Sequence, residues 1–337
     1  MCRVFPAVVA ALVLFPLSAQ AKKPAPCKPR NTVELPGGGV RSVVFLPDGK
    51  TVAAATEDGS LVLVDGAKGK VAKTFKGHKG AAYSLAVSPD GKLAATGGED
   101  KRAILWELPS GKQRATLSGH DNTVRSVAFS PDGSSLYTAS LDKQLGEWNP
   151  QTGANVRMMG GQACILMGVA VSRGKLKDGS PFAGAACHDG LVRIWNLQSG
   201  KPQFALEGHE GEVHAVAFSP AGDGSNPQMA TGDNDGNVLV WNVRAQKAEL
   251  TLSGGWTDAV AFSPDGTLVV GAGNDMAQKG IFRLWSLPEG KLLNEQEPHD
   301  GNIGGVSFSP DGKSMVTGGN DGMVKLWDVA QLKKGCG

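Results

Sequence analysis

Apolar and polar positions alternate over short stretches of this chain, and turn residues punctuate them at regular intervals. Val124–Ser130 mixes apolar and polar positions in the manner of a strand, Pro131-Asp132-Gly133 turns the chain, and Leu136–Ser140 and Leu145–Trp148 are the next two predicted strands. A segment such as Gly111–Leu117 supplies a fourth. The turn signature recurs with prolines at Pro47, Pro89, Pro131, Pro220, Pro264 and Pro310, while residues 171–174 fill the one gap. Strand-ending tryptophans keep the same beat at Trp106, Trp148, Trp195, Trp241, Trp285 and Trp327, spaced 42, 47, 46, 44 and 42 residues, with Val64 in the first slot. Four short strands per unit, seven units and no helical period predict an all-β, seven-bladed propeller of four-stranded antiparallel blades.

Composition supports many tight turns: 47 of 337 residues are glycine. Residues 1–21 read as a signal peptide, with Arg3, an apolar core from Val8 to Leu17 and a small-residue cleavage site at Ala19-Gln20-Ala21. Residues 22–31 form a basic, proline-rich leader, 32–332 the propeller and 333–337 a short tail. Export to the periplasm or the extracellular space is therefore expected, with no membrane span after cleavage. Seven lysines and arginines lie at the two ends, so the overall charge of +2 leaves residues 31–332 at −5. A nucleic-acid reader needs a basic face, and none is expected here.

The Gly-His pairs at 77–78, 119–120 and 208–209, the turn aspartates and the strand-ending tryptophans resemble WD-repeat β-propellers over roughly residues 31–330. Only Trp327-Asp328 is a literal Trp-Asp pair. The resemblance implies a structural hydrogen-bond tetrad of His, Thr, Asp and Trp. It falls on His78, Thr96, Asp100 and Trp106; on His120, Thr138, Asp142 and Trp148; on His209, Thr231, Asp235 and Trp241; and on His299, Thr317, Asp321 and Trp327. Blade one has Asp58 but neither His nor Trp, and blade four has Gln162 in the His slot. Blade six keeps Asp275 and Trp285 without the His and Thr, so its top loops are expected to be loosely held. Thr32–Leu35 is an orphan strand, expected to complete the last blade, since an open ring leaves two exposed sheet edges.

Chemical signals are sparse. Four of six histidines occupy tetrad slots. His188 and His214 do not, and neither has a partner at metal-ligand spacing, although Cys187 adjoins His188; no metal and no cofactor are expected. Nucleophile-elbow, phosphate-loop and haem motifs are absent from the sequence. Four cysteines remain after cleavage. Strand pairing brings Cys27 near Cys336, and Cys164 near Cys187 in blade four, where Gln162 and Ala185 replace the His and Thr. Each pair is either a disulfide or two buried thiols.

Equivalent starts of the innermost strands give Arg41, Tyr83, Arg125, Met167, His214, Asp258 and Gly304 around the channel rim. This mixed set suits recognition better than catalysis. The expected role is a monomeric, non-enzymatic platform that binds a protein or peptide through its top face. The alternatives are a periplasmic propeller enzyme or quinone-type cofactor binder acting at the channel, and a purely architectural domain. Blade six shortens the loop Gly254–Asp258 and lengthens the connection from Asn274 to Gly280, which carries Met276. Trp256 is the one tryptophan outside a strand-ending slot. Beside Met276, it is either an interface anchor, with His214, Asn234, Gly304 and Asn320 as neighbours, or an inward filler of the missing His position.

Overall fold

The computed structural model describes residues 26–160, 164–221 and 224–336. The expected signal peptide and Gln162 lie outside these residues. Seven four-stranded antiparallel sheets form the ring. Blade one comprises Val40–Phe45, Thr51–Thr56, Ser60–Asp65 and Lys70–Lys76, innermost strand first. Blades two to six repeat this order from Ala82, Val124, Leu166, Val213 and Trp256. Blade seven takes Ile303–Phe308, Ser314–Gly319 and Met323–Asp328 from the C-terminal end and Asn31–Glu34 from the N-terminal end. Val33 pairs with Val324 in that final rung set, so the expected closure is present. Among the described residues no helix is long and apolar enough to cross a membrane.

The middle strands of each blade are buried on both faces, which is why they read as apolar runs such as Leu61–Val64. The core lies in layers between neighbouring blades: Leu61 and Leu63 of blade one, for instance, pack with Leu85, Ile104 and Trp106 of blade two. The Ser-Pro-Asp-Gly turns close the bottom of the ring. Ser130 Oγ donates to Asp132 Oδ1 at 2.6 Å, and the backbone N–H of Ser134 donates to the same oxygen at 3.0 Å. These bonds hold Asp132 down to about 2, while Gly133 takes the left-handed φ of 71° that the turn requires. At the seam, a Cβ on Gly304 would lie 2.8 Å from the Arg41 carbonyl oxygen, so glycine lets blade seven approach blade one.

Two features depart from the sequence reading. The chain ends in a helix, Val329–Lys334, capped by Asp328, whose side chain accepts from Gln331 N. Val329 and Leu332 bury against Cys27, Phe282 and Trp327. In blade six the extra residues do not loosen the top: they add two ladder rungs, Gly273↔Ile281 and Asn274↔Gly280. Asp275 serves this projecting hairpin by accepting from the N–H groups of Ala277 and Lys279 at 2.9 and 2.8 Å. It sits inside the turn, not in the slot that faces a histidine.

Both cysteine pairs are disulfides. Cys27 and Cys336 join at a Cα–Cα distance of 5.0 Å, and Cys164 and Cys187 at 5.8 Å. The first fastens the C-terminal helix to the segment preceding the closing strand.

Candidate functional site at the channel mouth

The polar tetrads frame the top face. In blade two the Trp106 indole N–H donates to Thr96 Oγ1 at 2.9 Å, Thr96 lies 2.8 Å from His78 Nε2, and His78 Nδ1 lies 2.9 Å from Asp100. These three bonds run in one chain from the strand-ending tryptophan through Thr96 and His78 to the turn aspartate, tying loop to strands. Blade three repeats it through Trp148, Thr138, His120 and Asp142, and blade seven through Trp327, Thr317, His299 and Asp321. Burial holds His299 below the ordinary imidazole value despite Asp321.

Blade five corrects the sequence reading: His209 Nδ1 bonds Asp233 at 2.6 Å, and Asp235 is exposed. The position of Asp233 is Gly98 in blade two and Gly319 in blade seven, where a Cβ would collide with the ring of His78 or His299. In blade five a carboxylate fills that space and meets the imidazole directly. In blade four, Ala185 stands in the Thr slot, and the buried Trp195 indole N–H has no partner among the described residues. The Cys164–Cys187 bridge ties the segment just before the innermost strand of this blade to the end of the strand that carries Ala185.

Inside this frame the innermost strands enclose a cavity of about 300 Å³. Arg41, Tyr83, Arg125, Met167, His214, Asp258 and Gly304 all line it, one from each blade, because each opens the same strand at the same height. The set is organised in two halves. On one side Arg125 lies over the Tyr83 ring at 4.6 Å and Arg41 at 5.8 Å from its centroid. Arg41 also pairs with Glu57 at 2.8 Å. On the other side Asp258 Oδ1 bonds His214 Nδ1 at 2.8 Å and accepts from Trp256 Nε1 at 3.1 Å, while Oδ2 accepts from Asn302 Nδ2 at 2.7 Å. His214 Nε2 faces Glu212 at 3.4 Å, and Glu212 reaches His188 at 2.8 Å. Burial opposes charge on His214, but Asp258 and Glu212 outweigh it and raise its pKa. Burial likewise works against ionisation of Asp258, and His214, Trp256 and Asn302 together bring its pKa below the ordinary value.

Trp256 does not fill the vacated histidine position. It is 40% exposed and stands edge-on to His214, ring centroids 5.4 Å apart, while the next residue, Thr257, turns inward and is buried. Met276 is fully exposed in the blade-six hairpin, two residues beyond Asn274, which pairs with Trp256. The channel residues and Trp256 therefore form one group, and Met276 stands apart from it. Asn302, Glu212 and Asp233 were missed in the sequence. Asn302 and Glu212 each stand two positions before the rim residue of their blade, as Trp256 does, so aligning that repeat position would have pointed to both.

Comparison with known proteins places this geometry. The family described as WD domain, G-beta repeat matches residues 27–65, 69–107, 111–149, 200–242 and 290–328, more than half of the chain. Most of blades four and six, which lack the His–Thr pair, falls between the matched segments. The small ribosomal subunit protein RACK1y of Oryza sativa subsp. japonica is 35% identical over 96 residues, 28% of this chain and 27% of that protein. The match thus spans about a quarter of that relative. Propellers of these repeats are generally non-enzymatic scaffolds for protein partners. By fold, repeat and family match, the chain belongs to the WD-repeat β-propellers.

Proposed function

We propose that this protein is a non-enzymatic docking platform of the cell envelope or extracellular space, and that it engages a protein partner through the top face at blades five and six. The observation that carries the reading is Trp256, a large indole left exposed on the rim and oriented by a hydrogen bond to Asp258. Exposed aromatic side chains held in one orientation make good interface anchors, since little side-chain freedom is lost on binding. The projecting blade-six hairpin with Met276 adds a second, adaptable apolar contact.

The alternative of an enzyme acting at the channel finds little support in the pair of His214 with Asp258 that lines it. Both oxygens of Asp258 and both nitrogens of His214 already have protein partners. The export expectation draws support from the two disulfides, which persist in oxidising compartments.

Site-specific photo-crosslinking in the native host tests this reading. A photoreactive residue at position 276 should yield a defined adduct, and one at exposed Lys92, on the opposite face, should not. Equal adducts from both faces, or none from position 276, would contradict it.

A further inference from the structure

The two halves of the channel mouth differ in how completely their charges are matched. Asp258 is saturated by His214, Trp256 and Asn302. Arg125, across the cavity, makes no hydrogen bond or ion pair among the described residues and rests on the Tyr83 ring. Arg41 gives one nitrogen to Glu57 and keeps its buried Nε unbonded. Among the described residues seven buried side-chain polar atoms have no partner, and four of them belong to residues lining this cavity: Arg41 Nε, Ser84 Oγ, Arg125 Nε and Asn302 Oδ1. Burial holds the Arg125 guanidinium below its ordinary pKa even with Asp258 opposite, as expected of a charge compensated only in part.

We propose that the channel mouth is a carboxylate receptor, in which Arg125, backed by Arg41 and oriented on the Tyr83 face, receives an acidic side chain of a peptide segment from the docked partner. This rests on the reading of the top face as the docking surface and names the chemistry that face selects. A guanidinium fork matches a carboxylate in two parallel hydrogen bonds, and stacking on an aromatic ring pre-orients it. The cavity of about 300 Å³ has room for one side chain, not for a folded segment. Its walls include Val43, Leu85 and Val127, which suit the methylene stem of a glutamate. The ionised Asp258 on the far wall disfavours a compact dianion such as phosphate, which would bring a second negative charge against it.

Fluorescence anisotropy with the intact protein tests the proposal. The probe is labelled N-acetyl-hexaglutamate, with hexaglutamine and hexalysine as controls and inorganic phosphate and free glutamate as competitors. Hexaglutamate should bind in preference to both controls. Arg125→Met should weaken it roughly tenfold or more, Arg125→Lys less, with melting temperature unchanged or raised. Equal binding of hexaglutamate and hexaglutamine by the wild-type protein would overturn the proposal without any variant, as would undiminished binding by a folded Arg125→Met. Phosphate competing as well as free glutamate would reduce the site to a general anion site and contradict the carboxylate assignment. The two readings fail separately. A top-face partner captured equally well by Arg125→Met overturns this inference alone, whereas Arg125-dependent hexaglutamate binding without a top-face adduct overturns the platform alone.

Discussion

Asp233 meets His209 at 2.6 Å with both side chains wholly buried. The pair shows how a blade recovers its polar anchor when the aspartate shifts two positions toward the strand. Asp233→Ala should therefore destabilise the fold by about 1–3 kcal/mol, because His209 is left with an unpaired buried donor. Asp235→Ala, on the exposed turn, should stay within about 0.5 kcal/mol of wild type. Urea denaturation of the two variants decides the matter, and the opposite ranking would restore Asp235 to the tetrad.

The tetrads also set an acid limit. Burial works against charge on Asp142, Asp233 and Asp321, but bonds from His120, His209 and His299 outweigh it and leave all three carboxyls below their ordinary values. A depressed carboxyl stabilises above its unfolded pKa of about 3.9, and that stabilisation is lost as pH falls through the folded value. His299, buried neutral, acts in the same sense once pH drops below about 6.5. Melting temperature should fall progressively from pH 7 to pH 3. Asp142→Ala, about 1–3 kcal/mol less stable at neutral pH, should lose less of its remaining stability over the acid end. A parallel pair of curves would show that Asp142 carries none of the effect.

His214 has the opposite sign. Its pKa is raised, so its contribution is complete below about 6.5 and is lost as pH rises through the folded value. The melting-temperature gap between wild type and His214→Gln should be wider at pH 5 than at pH 8. A gap that grows with pH would mean that Asp258 and Glu212 do not hold a charged imidazole.

The disulfides rank by loop length. Cys27–Cys336 closes 309 residues and Cys164–Cys187 closes 23. In the chain-entropy description these are worth about 6 and 3 kcal/mol. Cys336→Ser should accordingly cost more than paired replacement of Cys164 and Cys187 by Ala, as measured by chemical denaturation. Non-reducing peptide maps should show these two links and no cross-pairing.

The ring was legible in the sequence because its signals are repeated and coupled: the proline turn and the strand-ending tryptophan each return six times in register over seven units of strand alternation. The channel rim was legible for the same reason, since Arg41, Tyr83, Arg125, His214 and Asp258 occupy one repeat position. What escaped was whatever the turn, the tryptophan and the rim position do not mark. Asp233 was passed over because the aspartate at the usual spacing, Asp235, was present and looked sufficient. Asn302 shares the repeat position of Glu212 and Trp256, two residues before the rim, where residue type changes from blade to blade, and Val329–Lys334 is too short for a helical period to stand out. The blade-six insertion was visible as length, but only pairing reveals that it extends the hairpin instead of loosening it.

The most direct test of the docking account is the affinity of Trp256→Ala for the partner identified by crosslinking, measured beside its thermal stability. The account predicts a loss of about 2 kcal/mol or more in binding, roughly thirtyfold, with stability within about 0.5 kcal/mol of wild type. A variant that binds normally but loses about 3–5 kcal/mol of stability would make Trp256 a packing residue and contradict it.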